Sequence, residues 1–386
     1  MRNLLTIACL AAISPLVAGC GSPGDARESG GHASAASLRS SEPDPNTQEV
    51  ALARAIADRY ITEHAPESVG WDWGESVLMM VLTDLSRVTG ASAYRDYAKR
   101  WADHHTLLPI LHPVYSSDSA APAIPNIALD RDFGDARYAG VVDRSLDYLD
   151  HWAPRTPDGG ISHYPLVPPT LWADSLMMFG EIFVRHAERT GDAARLDQYA
   201  TQYRIFASHL QDPSGWFVHA YNWHLAQQDP GVFWGRGNGW VIASGTDYLR
   251  VRAQRSESDV AITASIRQLS DAILASQDAS GLWWTVVNRP GETYLETSAS
   301  ALFTKGLARA YRDGMLDDSV KPAILRAVAG LKTRIVNDAQ GRPVVTGTSG
   351  PTDPGGFSTY ANVKTSDDVT YGVGAVIMAL VEVSGL

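Results

Sequence analysis

Cysteine is almost missing. The 386 residues include two, Cys9 and Cys20. Both lie within the first twenty positions, so the chain beyond them can form no disulfide and must be held by its core. The apolar stretch at residues 4–17 is short and is broken by Ser14 and Pro15, which makes it a poor membrane span. Positive charge is in deficit, with 32 Lys and Arg against 43 Asp and Glu and a net charge of -11. That balance argues against nucleic acid or an anionic membrane surface as a partner. The 11 histidines include no HExxH or similar spacing. No Gly-rich loop ending in Lys follows a strand pattern either, so metal and phosphate chemistry lack a motif, and neither metal nor cofactor is expected.

What is present begins with a sorting signal. Arg2 supplies a positive charge, residues 4–17 an apolar stretch, and small residues lead into a cysteine. The order Val17-Ala18-Gly19-Cys20 resembles a bacterial lipoprotein box, in which Cys20 is lipidated and becomes the first mature residue. Residues 1–20 are thus expected to be a lipoprotein signal peptide. Residues 21–47, rich in Gly, Ser, Ala and Pro, read as a flexible tether, because such a composition buries too little apolar surface to offset its ordering entropy. An exported bacterial lipoprotein in the periplasm or at the outer membrane is expected, touching the membrane only through its lipid. No obligate protein partner is implied.

Residues 48–386 carry a repeat. WGESVLMMVLTDLSRVTGASAYRDYAKRW, from Trp73, parallels LWADSLMMFGEIFVRHAERTGDAARLDQYA, from Leu171. Each has an acidic residue beside Ser, a Leu-Met-Met, an apolar stripe at helical spacing, a Thr-Gly stop and a second helix bearing Tyr. Weaker copies start near Ser119, Gly239, Ser298 and Tyr371. In most copies the first helix is apolar all round and the second amphipathic, so the first belongs inside and the second on a rim. Six such units predict an all-α fold, an (α/α)6 barrel or six-hairpin toroid. An open solenoid would repeat at a tighter, more constant period.

If the inner helices run the same way, the residues before each gather at one end of the barrel. Those residues are Asp72 and Glu75, Asp118, Asp174, Arg236 and Asn238, Glu296, and Asp367 and Asp368. Acidic residues at helix N-termini are common caps. Arg236 is different, since a cation there is electrostatically misplaced. Around these positions lie His163 and Trp172, His219 and Trp223, and the segment FWGRGNGW with Trp234 and Trp240. Aromatic faces beside carboxylates suit pyranose rings and proton exchange. The glycines flanking Arg236 read as allowing close backbone approach to a ligand.

FWGRGNGW, LWAD and GLWW…YLETSASA resemble the unsaturated rhamnogalacturonyl hydrolases (glycoside hydrolase family 105), relatives of the unsaturated glucuronyl hydrolases. The resemblance spans about residues 71–383. It implies removal of a terminal 4,5-unsaturated uronic acid from lyase-generated, acidic oligosaccharides by hydration of the C4=C5 double bond. It further implies that Asp174 is the general acid/base, that Asp118 is the second aspartate, and that His163 and His219 are the active-site histidines. Arg236 and Trp240 would belong to the substrate pocket, with Trp172 and Trp234 beside them. A helix N-terminus lowers a carboxylic acid's pKa, so Asp174 is expected to be pushed back up by Asp118 and by burial against Trp172. The Asp118 segment is only loosely family-like, and the stretch from His219 to Trp234 is short. Two other readings remain at this level: a surface lipoprotein that binds acidic glycans without turning them over, and another sugar enzyme on the same toroid, such as an inverting glycosidase or an epimerase.

Overall fold

The computed structural model describes residues 42–222 and 231–386. The expected signal segment, Cys20, most of the expected tether and Trp223 lie outside the described residues. Twelve long helices carry the architecture. Six form an inner ring: α2 (Trp73–Thr89), α4 (Ala123–Phe133), α6 (Gly180–Thr190), α8 (Gly235–Gln254), α10 (Thr297–Arg312) and α12 (Thr370–Glu382). Six lie outside: α1 (Gln48–Glu63), α3 (Ser92–Thr106), α5 (Ala136–Asp147), α7 (Ala193–Leu210), α9 (Val260–Ala275) and α11 (Lys321–Lys332). Each inner helix packs on the next, and α12 returns to pack on α2, which closes the (α/α)6 barrel.

The burial patterns explain this sorting. All sixteen residues of α10 are buried, as an interior helix requires, whereas α5 buries Tyr138, Val141, Val142, Ser145 and Leu146, a single stripe at 3- and 4-residue spacing. The two Thr-Gly stops act as read, with Gly90 and Gly191 in the left-handed region at φ 71° and 79°. The sixth outer helix is the one the repeat did not reveal. It is α1, which precedes the first inner helix and packs on α12 at the other end of the chain. Just before it, Asp44 N–H donates to Ser384 Oγ at 3.0 Å and Arg312 donates to Glu42 O at 3.2 Å, so the last residues of the expected tether are hydrogen-bonded to the barrel.

Inner-to-outer turns are short, and outer-to-inner connections are long. The long ones hold three two-stranded antiparallel pairs: β1 (Leu171–Trp172) with β2 (Ala220–Tyr221), β3 (Ile335–Asn337) with β4 (Pro343–Val345), and β5 (Thr348–Ser349) with β6 (Thr365–Ser366). Two of the long connections also share a turn. In Gln211–Asp212…Gly215 and Gln277–Asp278…Gly281 the glycine N–H returns to the aspartate carbonyl at 2.8 Å, and the glutamine amide spans the turn to the glycine carbonyl. Gly281 sits at φ 87°, where a Cβ would lie 2.1 Å from Arg326 O.

The two ends of the barrel differ. Where the inner helices finish, ion pairs fill the axis: Arg185 with Asp84 and Glu181, Lys305 with Asp247, Arg309 with Glu382, and Arg250 with Glu188. Cations there complement the helix C-terminal dipoles, and the pairing offsets the cost of burying the charges. A cavity of about 320 Å³ lies among them, with no aromatic or histidine in its wall. Arg185, Arg250, Lys305 and Arg309 in that wall are each paired with an acid. A smaller cleft lies at the opposite end, lined by aromatic, histidine and carboxylate side chains.

Candidate active site

The cleft, about 60 Å³, is walled by Trp73, Asp118, His163, Tyr164, Trp172, Asp174, Trp234 and Arg236, with Pro351, Thr352 and Asp353 across it. The side chains come from connections leading into inner helices or, for Trp73 and Arg236, from the first turn of one. Asp118 sits in a helical turn, Ser117–Ala120, fixed by a reciprocal Ser116–Ser119 capping box. Ser117 N–H donates to His163 O at 2.8 Å, which binds that turn to the next connection. Asp174 opens the turn Ser175–Met178 without capping it, so its carboxylate is left for other partners. Ala173 N–H donates to His219 O at 2.8 Å, extending the β1–β2 pairing and setting His219 beside Asp174.

Two carboxylate–imidazole pairs result. His163 Nε2 lies 3.4 Å from Asp118 Oδ2 and His219 Nε2 lies 3.2 Å from Asp174 Oδ2, both misaligned from an ideal hydrogen bond. The far nitrogen of each ring meets a hydroxyl. His163 Nδ1 is 2.8 Å from Ser175 Oγ, and His219 Nδ1 is 3.1 Å from Tyr360 OH. Trp172 separates the pairs. His163 stacks on it at 4.0 Å and 6°, while His219 meets it edge-on at 5.4 Å and lies 4.3 Å from Trp234. Both histidines are buried, and Asp174 keeps 14% of its side-chain exposure.

The electrostatics follow from this packing. Burial holds His219 below its ordinary imidazole value, against the pull of Asp174, so it is neutral at neutral pH. Burial raises Asp174, but His219, His163 and Arg236 together hold its carboxyl below the usual range. The sequence-based expectation of a raised value is therefore not met, and Asp118 is not among the groups that dominate it. Tyr164 is pushed up by burial and then by Asp118 and Asp353, and its hydroxyl donates to Asp118 Oδ2 at 3.3 Å.

Arg236 is not misplaced. Its guanidinium donates to Ser349 O at 2.9 Å and to Gly350 O at 2.8 Å, and it lies 4.6 Å over Trp234 and 4.9 Å over Tyr371. Carbonyl oxygens and ring faces offset its position at a helix N-terminus. The glycines around it serve packing rather than ligand approach. A Cβ on Gly235 would lie 3.1 Å from Ala299 Cβ and one on Gly237 3.0 Å from the Trp234 ring. Asn238 clamps Phe217, accepting from its N–H at 2.7 Å and donating to its carbonyl at 2.8 Å.

Trp240 corrects the expectation made for it. It is wholly buried, meets Trp73 edge-on at 6.5 Å, and does not line the cleft. It stands one helical turn beyond Arg236, deeper in the barrel. Of the other acids at this end, Asp72 and Glu296 are caps. Asp368 pairs with Arg59, and Asp367 accepts from Gly347 N–H. Tyr164, Tyr360 and residues 351–353 were not anticipated; no helical period or aromatic–acid cluster marks that last loop. Among the described residues no group of three or more His, Cys, Asp or Glu could hold a metal, and no helix is long and apolar enough to cross a membrane.

The model of Glycosyl Hydrolase Family 88 matches residues 51–386, nearly the whole described barrel. The chain belongs to glycosyl hydrolase family 88. It is a glycoside hydrolase, as the motifs resembling the family 105 enzymes and their glucuronyl hydrolase relatives implied. A relative is the unsaturated rhamnogalacturonyl hydrolase YesR of Bacillus subtilis, 29% identical over 256 residues, 64% of this chain and 73% of that protein. The unsaturated 3S-rhamnoglycuronyl hydrolase of an Alteromonas species is 27% identical over 215 residues, covering 55% of this chain and 50% of that one. A solved C. acetobutylicum glycoside hydrolase from family 105 superposes with a TM-score of 0.77 at 20% identity, over 86% of this chain and 99% of its own. At that identity the likeness speaks for the fold.

Proposed function

We propose that this family 88 enzyme removes a terminal 4,5-unsaturated uronic acid from acidic, lyase-generated oligosaccharides by hydrating the C4=C5 double bond. The observation that carries the reading is the orientation of Asp174. Its Oδ2 is turned inward against His219, and the exposure left to the side chain belongs to its other atoms, Oδ1 among them, at the cleft wall. A proton on Oδ1 would pass to C4, water would add its oxygen to C5, and the proton released by that water would return to Asp174. The hemiketal at C5 then opens by breaking the bond to the ring oxygen. This leaves a ketone at C5 and a hemiacetal at C1 that expels the remaining sugar as an alcohol. One water is consumed, and the carboxyl ends protonated as it began.

The lowered pKa of Asp174 fits this scheme. A uronate bound nearby brings a like charge and excludes water, and both raise a carboxyl's pKa toward the value a general acid needs. Trp172 and Trp234 offer ring faces to the sugar. Asp118, paired with His163, stands where it can orient the substrate or water. The names of both relatives support the substrate class. We further propose that the enzyme is exported and anchored by lipid on Cys20, on the strength of the Val17–Cys20 sequence.

The test is loss of ultraviolet absorbance from the conjugated uronate. Unsaturated disaccharides made by lyases from pectin, glycosaminoglycan and a sulfated algal polysaccharide would be incubated with the wild type and with Asp174→Asn. Decay with the wild type alone supports the hydration and the role of Asp174. Unchanged absorbance across all three, with tight binding by both proteins, would favour a glycan-binding lipoprotein instead.

A further inference from the structure

Tyr360 lies outside every motif discussed so far, in a short helix, Phe357–Ala361, beyond the loop that faces the cleft. It is buried, and its ring stacks with Trp234 at 6.0 Å and 15°. Its hydroxyl oxygen accepts the N–H of Gly355 at 3.1 Å and lies 3.1 Å from His219 Nδ1. These two contacts settle which atom holds the proton between them. If Nδ1 carried a hydrogen, the tyrosine oxygen would accept twice, and its own O–H would be buried with no acceptor among the described residues. Leaving such a donor unmet is costly. If the tyrosine donates to Nδ1, both its oxygen and its hydrogen are matched.

We propose that Tyr360 is a positioning residue for the hydration reaction: its hydroxyl holds His219 in the tautomer protonated on Nε2, which turns that N–H toward Asp174 Oδ2 and leaves Oδ1 to exchange the proton with the sugar. The proposal rests on the reading of Asp174 as acid/base. Its logic is that of any histidine whose far nitrogen is fixed by a second partner. In the opposite tautomer a lone pair on Nε2 would face an ionised Oδ2. That contact is repulsive unless Oδ2 takes up the proton, and a proton held there points away from the substrate. The titratable and charged groups facing His219 are Asp174, His163, Arg236 and Tyr360 itself.

Because Gly355 N–H also grips the tyrosine oxygen, the same hydroxyl ties the catalytic pair to the loop that carries Thr352 and Asp353 into the cleft. Loop and acid are thereby set by one group.

The first measurement needs no variant. Nitrogen-15 NMR of histidine-labelled enzyme, with the His219 signals assigned by their loss in His219→Asn, reports which ring nitrogen carries hydrogen. Nε2 protonation is expected, and Nδ1 protonation would overturn the proposal outright. The second is Tyr360→Phe, which keeps the ring packing and removes one oxygen. Its kcat should fall about 10- to 100-fold, a share of the 10²–10⁴ that general acid–base catalysis supplies, while KM stays within about 3-fold. The ionisation seen in the pH profile of kcat/KM should move upward, and the NMR signals should become those of mixed tautomers. A retained kcat and pH profile, or a lower kcat with both readouts unmoved, would refute a positioning role. The tautomer readout does not depend on turnover. A wild type that consumes no unsaturated substrate would therefore sink the hydrolase reading without obscuring the answer for Tyr360.

Discussion

Glu296 offers the sharpest test of how the barrel supports its cleft. The side chain is wholly buried yet carries a carboxylate, and five contacts explain why. Ser298 N–H and Ser349 N–H donate to Oε1 at 3.0 and 2.9 Å, Ala299 N–H donates to Oε2 at 2.6 Å, and Ser298 OH lies 2.9 Å from both oxygens. The residue caps α10 and holds the strand β5 that presents its carbonyl to Arg236. In Glu296→Gln one oxygen can still accept from Ser298 and Ser349, but an amide hydrogen then faces Ala299 N–H. One buried backbone bond is lost, at about 1–3 kcal/mol, and the charge at the helix N-terminus is lost at about 0.3–1 kcal/mol. Relief of carboxylate desolvation offsets part of this, so a net loss of about 2 kcal/mol is expected, a fall of about 3 °C in Tm for a barrel of this length. Ser349 also accepts from Arg236 and from Tyr371 OH at 2.5 Å. Loosening it should therefore raise KM more than it lowers kcat. Urea unfolding followed by fluorescence and steady-state kinetics on the same preparation decide the matter. An unchanged midpoint together with an unchanged KM would refute the view that this buried acid both caps and braces.

Three further outcomes are expected. Burial, and then the charge of Asp247, push Glu181 up to about 7 from 4.5. The unfolded chain therefore releases a proton across the window from about pH 4.5 to 7 that the folded one keeps, and stability falls as pH rises through it; Glu181→Gln should lack this component, and parallel Tm curves for the two proteins would contradict it. Asp353 is exposed at the cleft edge. Asp353→Asn should lower KM about 2- to 5-fold for a substrate with a sulfated second sugar at low salt, with little change for an unsulfated one, and the gain should fade as salt is added. Gly281→Ala places a methyl into Arg326 O at a positive φ and should cost about 3 kcal/mol or more in urea unfolding, with a loss under about 1 kcal/mol showing that the turn can relax.

The barrel was legible because its determinants are local. Leu-Met-Met stripes, Thr-Gly stops and the contrast between an all-round apolar helix and an amphipathic one are properties of ten to twenty adjacent residues. The outer helix α1 was not, since its partner, α12, stands at the far end of the chain and no repeat precedes it. The site divides along the same line. Asp174, His163, His219, Arg236, Trp172 and Trp234 lie in distinctive short motifs and do converge; Asp118 joins them through a backbone contact of its turn with His163. Trp240 lies in as distinctive a motif but one turn deeper in α8, and the sequence carries no sign of which turn of an inner helix reaches the cleft. Tyr360 and Thr352 meet His219 and Arg236 through hydrogen bonds across more than a hundred residues of chain, a separation at which no periodicity speaks.

The two ends of the barrel also divide stability from chemistry in a way that the helix dipoles explain. At the end where the inner helices finish, partial negative charge invites Arg185, Lys305 and Arg309, and each is answered by acids. At the end where they begin, free N–H groups favour acids, yet Asp174 leaves its own helix uncapped and faces the cleft. A cap there would be worth about 1 kcal/mol. The backbone is not left bare, because Met177 and Met178 N–H groups donate to the carbonyl of Asp174 instead of to its side chain. Asp72, with a side chain of the same chemistry, accepts Trp73 N–H and caps α2. The difference between them is His219: its Nε2 stands 3.2 Å from the Asp174 carboxylate, and the side chain turns to it while the cap is forgone. That exchange of local stability for an oriented acid singles out Asp174 among the aspartates at this end.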